Sequence, residues 1–271
     1  MTAVPSTPAT EVGCLLREWR ERRRLSQLEL SLRAEVSTRH VSFVETGRSR
    51  PTAEMIERLA GHLDVPLRER NRLLLAGGYA PAHPEHGLDE PELGAVRDAL
   101  RAVLTAHEPH PALLFNRWWE LVDANAGVTA LLDGVEPALL QPPVNVLRLS
   151  LHPGGLAPRI ANLSQWRGHL LEQLHHRIDR TGDARLVELA AELAAYPGGT
   201  PEPASPADVV LPLRLATAAG ELSFFSIAAH VGTASDVTVE ELTLEAFYPA
   251  DRSTAYRLRD AQPGPVSGAG R

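Results

Sequence analysis

The stretch Gln27–Pro51, QLELSLRAEVSTRHVSFVETGRSRP, constrains this chain more than any other. Its apolar spacing gives two short helices joined by a tight turn. Ser26-Gln27-Leu28-Glu29 is a capping box at the start of the first, the serine hydroxyl and the glutamate each satisfying an orphan amide. The second starts at Ser37 as N-cap, turns Val41 and Val44 inward and stops at Gly47. Neighbouring segments complete a five-helix head. One helix carries Leu15, Leu16 and Trp19 and runs to about Arg23. Another is capped by Thr52 and buries Ile56, Leu59, Ala60 and Leu63. The last opens at Pro66 and ends at Gly77-Gly78.

The second helix of the pair has the chemistry of a major-groove reader. The groove admits one α-helix, and the first turn of that helix must offer donors and acceptors. Ser37, Thr38, Arg39, His40 and Ser42 supply them. Arg39 reaches guanine O6 and N7 in a two-pronged contact, Gln27 sits where a helix N-terminus favours a phosphate, and Arg48 and Arg50 extend the backbone contact. Charge follows the same division. Residues 1–80 hold 13 arginines against 10 acidic residues, and residues 81–271 hold 14 against 24, so a head of +3 precedes a body of −10.

This segment resembles the helix-turn-helix of the phage-repressor-like (XRE) transcription regulators. The match is carried by Gln27, Leu30, Ala34, Val36, Ser37, Val41, Val44, Glu45-Thr46-Gly47 and Pro51, and it spans residues 12–78. Glu35 departs from the pattern, because the family usually places glycine in the turn. The resemblance implies a sequence-specific regulator that binds a double-stranded operator, and a two-fold operator implies a homodimer.

Residues 79–90, with Pro81 and Pro84, read as a linker. From there to about 258 the chain alternates helical segments (92–107, 126–132, 164–180, 183–195) with strand candidates (112–115, 119–123, 209–216, 221–231, 241–248). This makes the whole an all-α head followed by an α+β body. Phe224–Ile227 is apolar on both faces, so that strand is central. In the last strand Leu242, Leu244 and Ala246 alternate with Thr243 and Glu245, the period of a half-buried strand. Residues 197–206 read as a loop, 1–11 as a flexible start and 259–271 as a disordered tail.

The body resembles the MmyB-like ligand-binding domain, a PAS-like fold. The resemblance is carried by Pro111–Asn125, Asn145–Pro153, Asn162–Arg167 and the strands running to Tyr248-Pro249-Ala250-Asp251. It implies an apolar pocket for a fatty acid or a similar amphiphile. Asn116, Trp119, Asn125, Arg148, His152 and Arg167 are the candidate ligand contacts, although Asn125 is equally placed to cap the helix at Ala126 and both arginines to form ion pairs. The alternative is a body that serves protein interaction or dimerisation without a ligand.

Other chemistries find little support. Glu172-Gln173-Leu174-His175 has the spacing of one half of a di-iron site but lacks the second half, so neither a metal nor another cofactor is expected. No nucleophile elbow, phosphate loop or dinucleotide fingerprint occurs, so an enzyme is not expected. The single cysteine, Cys14, excludes an internal disulfide. With no membrane-length apolar run, the expected place is the cytoplasm, at the nucleoid.

Overall fold

The computed structural model describes residues 8–199 and 210–260. In chain order its helices and strands are α1 (Pro8–Arg22), α2 (Gln27–Arg33), α3 (Thr38–Glu45), α4 (Ala53–His62), α5 (Leu67–Ala76), α6 (Gly94–Ala106), β1 (Ala112–Phe115), β2 (Leu121–Ala124), α7 (Ala126–Leu131), α8 (Val146–Leu151), α9 (Leu163–Thr181), α10 (Ala184–Ala195), β3 (Leu213–Thr217), β4 (Gly220–Ala229), α11 (Val237–Glu240), β5 (Thr243–Pro249) and α12 (Arg252–Asp260). They form two units. Unit 1 comprises residues 1–86 together with 233–240, and unit 2 comprises 87–232 with 241–271. No helix among the described residues is long and apolar enough to cross a membrane.

Unit 1 is helical because its caps and apolar spacing agree. Ser26 and Glu29 form the capping box of α2, Ser37 accepts from the His40 amide, and Thr52 accepts from the Met55 amide. Leu16, Leu30, Val41, Val44, Ile56 and Leu59 meet in one core. The α1–α3 crossing is close: a Cβ on Gly13 would stand 2.2 Å from the Val44 carbonyl oxygen. In the turn between α2 and α3, Glu35 adopts φ +54°, a left-handed conformation that costs a residue with a Cβ about 1 kcal/mol. Glu35→Gly is therefore expected to raise unfolding free energy by about 1 kcal/mol, read as a higher urea midpoint with an unchanged slope.

α11 arrives from far along the chain. Pro66 precedes α5 and provides no side-chain cap, and the Glu240 carboxylate accepts the Leu67 amide at 2.8 Å instead. Asp236 accepts from the backbone amide of His86 at 3.1 Å and pairs with its Nδ1 at 2.8 Å, and the Thr238 hydroxyl donates to the His86 carbonyl. The division between units falls at His86/Gly87, inside the proline-bearing 79–90 stretch.

Unit 2 is α+β, built on a five-stranded antiparallel sheet in the order β2-β1-β5-β4-β3. One face packs Leu113, Leu215 and Phe224 against Trp166, Leu174 and Leu193 of α9 and α10. The other gathers Ala112, Leu114 and Ala246 around Leu104 of α6. β4 is an interior strand, as its two apolar faces predict. β5 differs from the half-buried expectation: with helices on both sides of the sheet, Thr243 is buried and Glu245 looks into the core side rather than into solvent. Helices α8 and α12, absent from the sequence reading, are short, with Asn145 and Asp251 accepting first-turn amides. α1 begins at Pro8, inside the stretch expected to be flexible, and α12 runs to Asp260, inside the expected tail. Residues 1–7, 200–209 and 261–271, which hold the rest of the expected start, loop and tail, lie outside the described residues.

Candidate nucleic-acid interface and apolar cavity

α3 buries Val41 and Val44 and turns a polar face outward. Ser37 and Arg39 are exposed, and Thr38, His40 and Ser42 are half-buried. The Ser37 hydroxyl is engaged as the cap, and the Thr38 hydroxyl lies 2.9 Å from that of Ser31 in α2. The Arg39 guanidinium lies 5.1 Å over the Phe43 ring, one turn further along, and Arg48 approaches the same ring at 5.9 Å. Phe43 thus organises two of the exposed cations, a role legible only in its i+4 spacing from Arg39. Arg50 donates to the Gly77 carbonyl at 2.8 Å and stacks on Tyr79, which ties it to the end of α5.

Gln27 donates through Nε2 to Glu45 Oε2 at 2.8 Å. Glu45 in turn takes a two-pronged contact from Arg20, at 2.6 and 2.9 Å, while Arg20 also donates to the Leu25 carbonyl. One buried carboxylate therefore fixes the N-terminus of α2 against the C-terminus of α3 and the last turn of α1. The Glu45 hydrogen bond, followed by its charge, raises the Arg20 pKa against the opposing effect of burial.

In unit 2 an apolar cavity of about 90 Å³ opens between the sheet and α8–α9, walled by Leu113, Trp119, Leu147, Trp166, Leu170 and Phe247. Its polar groups are Ser150, Gln173 and Glu245. Glu245 is the one ionisable side chain in this lining. Burial pushes its carboxyl above the usual carboxylate range, and a hydrogen bond with Ser226 only partly offsets that. The native state therefore holds this proton to higher pH than the unfolded chain, so stability falls as pH rises from the ordinary carboxylate pKa to the raised one. Glu245→Gln is expected to flatten that decline, which urea unfolding at a series of pH values would measure.

Among the six candidate ligand contacts, Trp119 lines this cavity; its φ is +58° and Arg177 stacks on its ring at 3.9 Å. Burial first, and then the nearby Arg180 and Arg117, lower the Arg177 pKa to about 10. Asn116 accepts from the Trp118 and Glu120 amides, closing the turn between β1 and β2. Asn125 is buried; it caps α7 and donates to the Leu104 and His110 carbonyls. Arg148 forms a two-pronged pair with Glu192, at 2.8 and 2.7 Å, and lines a separate polar cleft. Tyr196 donates its hydroxyl to the same Glu192, and burial and then that carboxylate push its pKa up to about 12. His152 accepts the Gly154 amide. Arg167 is buried and donates to the carbonyls of Leu193, Ala194 and Tyr196. The structure thus brings the indole, and not the polar candidates, to the cavity. The carboxylate that does face it belongs to a strand that looked amphipathic. Glu172 and His176 lie 3.8 Å apart on an exposed helix face.

Comparison with known proteins finds two family matches along the chain. The family described as MmyB-like transcription regulator ligand binding domain matches residues 96–261, and the helix-turn-helix family matches residues 16–70. Among curated proteins nothing matches the chain. Among solved structures, the clp gene regulator ClgR from Corynebacterium glutamicum is similar at 20% identity over 27% of this chain and 92% of its own, with a TM-score of 0.25. The restriction-modification controller protein C.AhdI from Aeromonas hydrophila is 31% identical over 24% of this chain and 98% of its own, with a TM-score of 0.23.

Proposed function

This chain belongs to the MmyB-like transcription regulators, with a helix-turn-helix unit ahead of the ligand-binding domain, and from that membership we propose how each unit works. Unit 1 lays α3 in the major groove of an operator, and unit 2 answers to a small apolar ligand. The observation that carries this reading is the face of α3: Arg39 and Ser37 exposed above a buried Val41 and Val44. A homodimer supplies two such faces to a two-fold operator. Arg39 reads a guanine, His40 and Ser42 face neighbouring bases, and Ser37, Thr38 and Gln27 hold the helix ends in register. Arg48 neutralises phosphate, with Arg50 bracing the loop behind it. The reading places the protein in the cytoplasm at the nucleoid and assigns it no catalytic step, cofactor or metal.

The apolar cavity supports the ligand half of the proposal. A fatty acid or similar amphiphile would contribute about 0.8 kcal/mol per buried methylene, and its entry would part the walls of a cavity smaller than usual ligand sites. The five-stranded antiparallel sheet supports a PAS-like description of this unit. Ligand that prefers one conformation of the body would alter operator affinity by its differential binding.

Fluorescence anisotropy with an operator selected from random duplexes tests the DNA half. Arg39→Ala is expected to lose about 1–3 kcal/mol on the operator and little on a scrambled duplex. Arg48→Ala is expected to weaken both alike and to reduce the salt slope by about 1. Unchanged operator binding by both variants would overturn the docking.

A further inference from the structure

β4 outruns its outer neighbour. β3 begins at Leu213, opposite Phe224, so from Phe225 to Ala229 the strand has β5 on one side and, among the described residues, no strand on the other. The Ser223 carbonyl accepts the Ala250 amide on the β5 side, and an antiparallel strand turns alternate residues to opposite neighbours. Phe225, Ile227 and Ala229 therefore bond to β5. Ser226 and Ala228 turn their N–H and C=O groups outward, with no backbone partner among the described residues. Elsewhere the sheet's margins are engaged: Arg214 of β3 takes the Ala161 amide, and Leu121 of β2 donates to the Val144 carbonyl.

The side chains along this open edge are apolar. Phe225, Ile227 and Ala229 lie opposite Tyr248, Ala246 and Leu244, on the side of the sheet that α6 covers. Ala246 is buried there, yet Ile227 beside it is 52% exposed, and Ala228 and Ala229 are exposed as well. Residues 222–235 contain no Asp, Glu, Lys or Arg, in a body whose net charge is −10. Charges, prolines and bulges are the devices that keep strand edges from pairing, and residues 225–229 carry none of them.

We propose that residues 225–229 of β4 pair antiparallel with the same residues of a second copy of this chain, joining two unit 2 sheets across a two-fold axis. The proposal rests on the homodimer reading above and names the surface that makes the dimer. The open stretch is self-complementary about its middle residue. With Ile227 opposite its own copy, Ser226 of each chain faces Ala228 of the other, and each such pair exchanges both hydrogen bonds, so every outward N–H and C=O is met. The central pair is then of the kind whose side chains approach most closely, which brings the two exposed Ile227 side chains together. Sliding the pairing by two residues sets Ala228 against Phe224 of the other copy, whose bonds β3 already holds. A foreign strand would need no such centring. Charge favours the same contact, because two equally acidic bodies meet at least cost through a stretch that carries no charge.

Sedimentation equilibrium of the full-length protein, 29.4 kDa per chain, tests the pairing. The wild type is expected to be a dimer at micromolar concentration. Ile227→Lys and Ile227→Asp each set like charges opposite one another on the axis and should raise the dimer dissociation constant at least about tenfold. An equimolar mixture of the two variants should recover the dimer, since opposite charges then meet across the axis. A wild type that sediments as a single chain overturns the proposal and the homodimer reading together. A dimer that withstands both single substitutions overturns the pairing and leaves the homodimer reading standing, as does loss of the dimer without recovery in the mixture. Should a charged variant fail to fold by far-UV dichroism, oxidative cross-linking in a Cys14→Ser background decides. Ile227→Cys is expected to give a covalent dimer and Ala229→Cys, which the register sets away from the axis, is not. Failure of Ile227→Cys to cross-link, or equal cross-linking of both, overturns the pairing.

Discussion

Replacing Glu45 by alanine is expected to destabilise unit 1 by about 3–5 kcal/mol, a large part of a domain's total stability. Glu45 and Arg20 are almost enclosed, their side chains 3% and 10% exposed, so the substitution leaves a buried guanidinium with the Leu25 carbonyl and a longer 3.6 Å approach to the half-exposed Glu21 in place of its two-pronged partner. It also releases Gln27, whose amide nitrogen Glu45 holds at the start of α2. Operator affinity should therefore fall along with stability. A charge-conserving swap to aspartate shortens the reach and loses the two-pronged geometry. Removing both partners, as in Arg20→Met with Glu45→Leu, should return most of the lost stability without restoring Gln27. Chemical unfolding of the wild type, Arg20→Met, Glu45→Leu and the double variant gives the coupling energy directly, and additive losses would show that the pair is not an energetic unit.

Arg167→Met is the second large effect, expected to cost unit 2 about 3 kcal/mol or more from several hydrogen bonds made by one charged donor. The guanidinium collects the carbonyls of Leu193, Ala194 and Tyr196 at 3.1, 2.6 and 2.7 Å where α10 ends; of these the Leu193 carbonyl also takes the Tyr196 amide. A cation at a helix C-terminus is also favoured by the dipole. Methionine fills the volume but donates nothing, so buried carbonyls are left unmatched. Thermal unfolding should show an earlier transition for unit 2 while operator contacts in unit 1 keep their sequence preference. A shift of less than a degree or so would mean that water replaces the arginine freely.

These two residues show what the sequence makes legible. Local rules carried unit 1: Ser26 with Glu29, Ser37 and Thr52 each announce a helix start within four residues, and the structure places helices there. The positive φ at Glu35 falls where the resembled family usually places glycine. The five polar residues offered as ligand contacts in unit 2 could be recognised as donors or acceptors, but Asn116 and His152 turn to backbone amides close by and the two arginines to partners far along the chain. Arg148 meets Glu192 and Arg167 meets the end of α10. No local pattern encodes such pairings. Glu245 escaped for a different reason. Alternation in β5 identifies two faces but does not say that both are covered, and only the placement of α6 on one side and α8–α10 on the other converts a solvent-facing position into a cavity wall.

The excursion of residues 233–240 gives unit 1 a composite origin. Its chain enters once from the N-terminus and again between β4 and β5, so three peptide junctions, at 86/87, 232/233 and 240/241, separate the two bodies. A single protease nick between residues 79 and 90 would leave the N-terminal piece held to the rest only by its non-covalent contacts with residues 236–240. An excised 1–86 piece would likewise lack the carboxylates that receive the Leu67 amide and the His86 ring. Swapping heads between relatives by cutting at the proline-rich stretch would thus transplant an incomplete module; a faithful exchange has to carry the eight-residue return visit with it.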